Sequence, residues 1–470
     1  MLIHEKVGRA SRQAKGARGR HAAIGIAVLL GAWLQMLLVR YVSVVGGLLV
    51  VGLVGATVVA HFAGAGRAAR VVQAAAIAGI LAEIIWLISG WYPLLVTSQV
   101  AAVVAAFACL VTARAGGRSD AVADGPRPGR TLLRGARLLA AGVAAAVSVA
   151  LLVNAVTPVP LATALQSSAG YGNSFEPAKP TATTVVSNTR LISDIKYGDK
   201  YPNSYLDVYI AHNDSTVRRP TFVIVHGGGF IVGDKLGGDP NAADHTFALG
   251  NAPMLDAGYN LVSIGYGLAP EMPYPTPVIQ LTQAIEFLKT HGGEYGLDMS
   301  RVVLSGGSAG GHIIGQYATV QTNPAYARQL NIAPSLSRDQ LKAVVFDSAP
   351  FDPRRAGRTE APKLAVDWLF GLCLRTYVGT TNARLDETNL IEHATAEFPP
   401  AFIADGNTGT FPDQARDFAG RLDELGVRNA LDLYPVSDAI LSHSFMSGAS
   451  SRWTDDYNRR KIEFLRSVVG

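Results

Sequence analysis

Cysteine is nearly absent from the 470 residues: Cys109 sits in an apolar run and Cys373 far downstream. Two such residues cannot build a disulfide framework or a thiolate metal cluster, and each reads as a small buried hydrophobe. Charge is also scarce, at 16% of residues, and acidic charge is almost missing from the first third. Up to Pro158 there are 15 Lys and Arg against 4 Asp and Glu, and after it 26 against 32, so a net charge of +5 divides into +11 and −6. That asymmetry argues against one basic surface for nucleic acid and for two parts in different surroundings. There is no zinc-finger spacing, Walker loop or dinucleotide fingerprint. At about 150 residues per domain, two or three units are expected.

The first third is apolar in runs: His21–Val39, Tyr41–Ala60, Val71–Ile88, Val96–Thr112 and Leu138–Pro158. Most approach the roughly 20 residues that a helix needs to cross a bilayer core. One cleaved signal peptide does not explain five runs. A soluble bundle would need polar faces that these Ala, Val, Leu and Gly segments lack. Lys and Arg resist translocation, and they cluster in the N-terminal arm (Lys6 to Arg20), at Arg67 and Arg70, and from Arg114 to Arg137. Those connections are expected to be cytoplasmic, with Trp91 and Tyr92 suiting an interfacial belt. Five crossings from an inside start put everything beyond Pro158 outside the membrane. The expectation is a membrane domain over 1–158 contacting lipid and an extracytoplasmic linker over 159–186, rich in Ala, Ser, Thr, Gly and Pro. Residues 187–470 then form a separate domain. Glu83 inside the third run is a lone intramembrane acid, read as bonded to a neighbouring helix or neutral, because an ion path needs several polar partners. An anchor is favoured over a transporter.

Beyond the linker, "SYLDVYI", "TFVIVHG", "NLVSIGYG", "SRVVLSGG", "LKAVVFD", "PAFIADG" and "ALDLYPV" are strand-like and bounded by Gly, Pro, Asp or Asn. Helix-like stretches lie between them, so the fold class expected is α/β, a mostly parallel sheet covered on both faces. The strand ending at Ser305 runs through Gly306-Gly307-Ser308-Ala309-Gly310 into a helix, the strand–turn–helix setting of a G-x-S-x-G nucleophile elbow. Some eighty residues earlier, His226-Gly227-Gly228-Gly229-Phe230 ends another strand. Successive glycines there let backbone N–H groups converge on an anionic oxygen.

With both motifs placed, the segment from about Ile195 onward resembles the α/β-hydrolase superfamily and, within it, the hormone-sensitive-lipase-like esterases. "HGGGF", "YGLAPEMPYPTPV", "GGSAGGH", "PPAFIADGN" and "LSHSF" are similar to that group's successive landmarks. The resemblance implies a serine hydrolase: Ser308 attacks an ester carbonyl, His443 is the base, and the N–H groups of Gly227, Gly228 and Ala309 receive the oxyanion. It implies no metal and no organic cofactor. His312, next to the elbow, is expected to turn away along its helix and pack. The triad acid departs from the pattern: relatives read like G-N-x-D where this chain has Gly406-Asn407-Thr408-Gly409. Asp347, closing a strand beside the elbow, is taken as the acid, with Asp405 and Asp413 as alternatives and Asp352 as structural. Trp368, Leu369 and Phe370 line an acyl site or simply pack in the core. The function expected is a membrane-anchored carboxylesterase or lipase with a small-molecule or lipid ester as substrate. An acyltransferase using the same nucleophile, or a silent hydrolase fold that binds, are the alternatives.

Overall fold

The structure, a computed structural model, describes residues 67–89, 91–121, 128–177, 183–186, 188–235, 251–359, 364–448 and 450–469. Its packing divides the chain between Thr157 and Pro158. In the first unit the described residues form helices α1 (Arg67–Ser89), α2 (Tyr92–Ala121) and α3 (Pro128–Val156), and α2 packs against both neighbours. The Ser98 hydroxyl on α2 donates to the buried Glu83 carboxylate on α1 at 2.6 Å, so this acid is bonded across helices. Among the described residues one stretch, Leu138–Val156, is long and apolar enough to cross a membrane, with mean hydropathy 2.2. The runs expected at 71–88 and 96–112 contribute the shorter apolar stretches Ile77–Trp86 and Tyr92–Ala108. Those at 21–39 and 41–60 lie outside the described residues.

The stretch expected to be a linker is largely part of the second unit. Helix α4 (Val159–Ser168) buries Ala162 in the main core, and Gln166 Nε2 donates to the carbonyls of Ile231 and Ala269 at 2.9 and 3.1 Å. Asn173 both donates to and accepts from the Leu268 backbone. Thr183–Val186 is a strand, β1. Ten residues with Pro in the first turn and rich in Ala and Leu can make a helix. The Ser and Gly that follow gave the segment a loop-like composition.

All seven strand-like runs are strands, preceded by β1 and by β2 (Thr189–Lys196). They are β3 (Tyr205–Ile210), β4 (Pro220–Val225), β5 (Asn260–Ile264), β6 (Asp298–Gly307), β7 (Leu341–Asp347), β8 (Ala401–Ala404) and β9 (Asn429–Asp432). The sheet order is β1-β2-β3-β5-β4-β6-β7-β8-β9. The β1–β2, β2–β3 and β3–β5 pairs are antiparallel, and the remaining pairs are parallel.

Side chains alternate across the sheet with a period of two. On β7, Val344 and Phe346 join a core with α6 (Thr276–His291), α7 (Ala309–Thr322) and α12 (Pro412–Glu424). Between α7 and α12 in the chain lie α8 (Pro324–Leu330), α9 (Leu364–Val378), α10 (Asn382–Glu387) and α11 (Leu390–His393). Ala343 and Val345 face the opposite way, onto α5 (Ala252–Asp256) and α13 (Arg452–Val469). Parallel strands covered on both faces read as near-continuous apolar runs, as β4 does in "PTFVIV", where the one polar side chain, Thr221, donates to Asp298 O.

Candidate active site

Ser308 stands between the end of β6 and the start of α7, with φ 51° and ψ −117°. A non-glycine residue in this region carries about 1–3 kcal/mol of strain. The surroundings enforce it: Ser308 N donates to Asp347 O at 2.7 Å, and α7 starts immediately afterwards. The flanking glycines are needed for close approach. A Cβ on Gly306 would lie 2.4 Å from the Gly310 backbone, and one on Gly310 would lie 2.0 Å from Val225 O.

The glycine loop follows β4. Gly228 and Gly229 have φ of 98° and 60°, and a Cβ on Gly227 would come within 3.4 Å of Ser308 Cβ. This loop is therefore beside Ser308, and Ala309 begins the helix that follows that serine. His226 props the loop from behind: its ring stacks on Tyr266 at 4.1 Å, and Nδ1 donates to Gly227 O at 2.8 Å. Burial pushes the His226 imidazole down to about 4, so it is a neutral support. From the other side Cys373 presses on Gly229, where a Cβ would meet its Sγ at 2.7 Å. Burial pushes that thiol up to about 12, which leaves it an unreactive packing group.

His443 meets Ser308: Nε2 lies 2.9 Å from Oγ. The ring is enclosed by Phe370 at 4.6 Å and Phe411 at 5.5 Å between centroids, and burial pushes its pKa down to about 4. Phe370 on α9 thus reaches the site rather than only the core. The loop carrying His443 is tied down by Asn407. Its Nδ2 donates to Tyr434 O and Ala439 O, its Oδ1 accepts from Leu441 N, and its own N–H donates to Leu441 O at 2.8 Å. Gly406 is pressed against the same loop, since a Cβ there would lie 2.5 Å from Ser442 O. The "GN" of Gly406-Asn407 therefore has a structural task even though Gly409 stands where a carboxylate was expected.

Asp347 is not at the imidazole. Its parity on β7 is that of Ala343 and Val345, so its side chain enters the α13 face, where Oδ1 accepts from Tyr457 OH at 2.7 Å and the buried Lys461 supplies the nearby positive charge. Asp413 is also turned away, paired with Arg355 at 3.2 Å. Asp352 caps a short turn through Arg354 N and pairs with Arg355, the structural role expected of it. His312 packs edge-on against Phe230 and Tyr377 and donates to Pro350 O, away from Ser308 as expected.

What His443 Nδ1 meets is a residue that sequence reasoning missed. Thr410 Oγ1 lies 2.9 Å from Nδ1 and donates to Asp405 Oδ1 at 2.5 Å. Asp405 directly follows β8, is 1% exposed, and also accepts from Gly406 N at 2.7 Å and Phe411 N at 2.9 Å. Burial, only partly offset by these donors and Ser348, pushes its carboxyl up to about 6.

A serine on a strained elbow, an imidazole on its oxygen and a glycine loop beside both are the parts of acyl-transfer chemistry. Comparison with known proteins agrees. Residues 206–419 match the family described as BD-FAE. Esterase LipI of Mycobacterium tuberculosis is 30% identical over 258 residues, which span 53% of this chain and 73% of LipI. The chain belongs to the α/β-hydrolase carboxylesterases. A probable carboxylic ester hydrolase of the same organism, LipM, is 25% identical, with 49% of this esterase and 52% of LipM covered. Esterase B of Lactobacillus rhamnosus has the same fold, with a TM-score of 0.51 at 18% identity over 66% of the esterase and 91% of esterase B.

Proposed function

We infer that this esterase cleaves carboxylic esters through an acyl-enzyme on Ser308, in a catalytic unit held at the membrane with its active site outside the cytoplasm. The observation that carries the chemistry is the 2.9 Å bond between His443 Nε2 and Ser308 Oγ. A hydroxyl is a weak nucleophile until a base removes its proton as it attacks. His443 takes that proton at Nε2, and its depressed pKa keeps it neutral and able to do so over the physiological range. Oxygen of the attacked carbonyl becomes anionic and is received by N–H groups of Gly227, Gly228 and Ala309, whose hold strengthens as the charge develops. His443 then protonates the leaving alcohol. Water, deprotonated by the same imidazole, releases the acid.

Membrane attachment is supported by the Leu138–Val156 stretch and by the basic clusters on alternate connections of the first 158 residues. The five-span arrangement is part of this reading. The chemical test is labelling with a fluorophosphonate and turnover of p-nitrophenyl esters of increasing chain length, in wild type and Ser308→Ala. Capture of Ser308 and loss of all but the small rate left by oxyanion and binding effects are expected. Unchanged turnover in Ser308→Ala would overturn the assignment.

A further inference from the structure

We propose that Thr410 is a positioning residue, a hydroxyl relay through which Asp405 fixes the tautomer of His443 and switches the site on as Asp405 ionises. This rests on the acyl-enzyme reading above. The argument is one of hydrogen bookkeeping along the chain Ser308–His443–Thr410–Asp405, whose three links measure 2.9, 2.9 and 2.5 Å. A carboxylate only accepts, and a threonine hydroxyl has one hydrogen and two lone pairs. Asp405 Oδ1 and Oδ2 already receive the N–H groups of Gly406 and Phe411, which cannot reverse. While Asp405 is ionised, the Thr410 hydrogen therefore points at Oδ1 and a lone pair faces His443. Nδ1 must then carry the imidazole hydrogen, and Nε2 is bare towards Ser308, the only tautomer that can accept the serine proton. When His443 becomes an imidazolium, its Nδ1–H leans on a hydroxyl polarised by a carboxylate.

Protonation of Asp405 allows the chain to reverse. The carboxyl donates to Thr410, Thr410 donates to Nδ1, and Nε2–H faces Ser308, where it cannot act as base. The number of hydrogen bonds is the same and the site is off. Charges around Asp405 do not compete for this role. Asp347 is engaged by Tyr457 and Lys461, Asp432 on the neighbouring β9 by Arg460, and Asp413 on α12 by Arg355. Among the described residues, the hydrogen bonds lead from Asp405 across Thr410 to the ionisable His443. Burial raises the Asp405 carboxyl and lowers the His443 imidazole, so the relay places the pH dependence of activity on the acid.

The test compares Thr410→Ser, Thr410→Val and Asp405→Asn in the full chain, reading kcat and KM separately from pH 4.5 to 8, with thermal melts to establish folding. Serine keeps the hydroxyl, so Thr410→Ser should retain kcat within a few-fold. Valine has the shape but no hydroxyl. In Asp405→Asn the charge that orients Thr410 is gone: with its NH2 at the Oδ1 position the amide donates to Thr410 and drives the wrong tautomer, and with its NH2 at the Oδ2 position it meets the Phe411 donor and leaves Thr410 only a neutral, weaker acceptor. Loss of a directly bonded acid costs about 10^4 in kcat, and through an intervening hydroxyl about 10^2 to 10^3 is expected, with KM little changed. In wild type, kcat should rise through about pH 6, and that limb should vanish from the residual activity of both damaging variants. Folded Thr410→Val and Asp405→Asn with wild-type kcat and an unchanged pH limb overturn the relay. If Thr410→Val does not fold, Asp405→Asn with the serine variant decides alone. Ser308-dependent labelling of the wild type separates the two failures: if it is present and the variants are indifferent, only the relay falls, and if it is absent, the acyl-enzyme reading falls with it.

Discussion

Asp347→Asn distinguishes stability from catalysis at this site. The residue closes the strand beside the nucleophile, and its main-chain oxygen receives Ser308 N, so proximity alone would make it a triad member. Its side chain faces α13 instead, accepting from Tyr457 OH, with the ammonium of Lys461 as the charge that holds its raised pKa back. Burial raises the Asp347 pKa and lowers that of Lys461, and each charge makes the other tolerable. An amide still accepts from Tyr457 but leaves the Lys461 charge without its anion. Removing one partner of a buried pair costs about 3–5 kcal/mol when contact is direct. Lys461 makes no direct ion pair with Asp347 and also sits 4.4 Å over the Tyr457 ring, so about 2–3 kcal/mol is the better expectation. For a unit of this length, with about 2.1 cal/mol/K of unfolding entropy per residue, that is roughly 3–5 °C in Tm. Below the melt, kcat on a p-nitrophenyl ester should stay within about threefold of wild type, because no catalytic hydrogen bond has changed. Adding Lys461→Met should recover most of the lost Tm. A folded Asp347→Asn protein with kcat down by about three orders of magnitude would refute the assignment of faces from strand parity.

Gly406→Ala should lower kcat at least tenfold while leaving most of the Tm, because its Cβ would push Ser442 O and with it the His443 loop away from Ser308; stopped assays and melts check this. For topology, an enzymatic reporter joined after Ser167 should be active outside the membrane and one within 116–130 inside, and protection of the catalytic unit from external protease in intact cells would contradict the orientation.

The sheet and the strained elbow at Ser308 were legible because both are written in local chemistry. Strand runs bounded by turn residues, an elbow whose glycines are demanded by contacts of 2.0–2.4 Å, and a glycine loop after a strand each need specific residues at specific spacings. His443 was singled out by "LSHSF" after the last strand run and by the order Ser, acid, His that the resemblance implies, and the structure puts its Nε2 2.9 Å from Ser308 Oγ. The acid was less legible: Asp347 turns its side chain to Tyr457, and it is Asp405 that approaches His443, through Thr410. Distance from the nucleophile along the sheet favoured Asp347, but a strand has two faces, and a residue of the same parity as Ala343 and Val345 belongs to the α13 side. Asp405 follows Ala404 on β8, where the parity is opposite: Ile403 lies in the core with α7 and α12, and the next residue of that parity is Asp405. Alternation, applied to "AVVFD" and "FIAD" together, would have preferred Asp405. The sequence offered no comparable signal for Thr410, because a threonine near the start of a helix is common in any protein. Its role exists only once the His443 loop, held by Gly406 and Asn407, brings an imidazole within 2.9 Å. The departure from G-N-x-D is then a rearrangement within one loop. In the proposed relay the carboxylate is Asp405 at the strand end, where burial raises its pKa, and the Thr410 hydroxyl stands between it and His443.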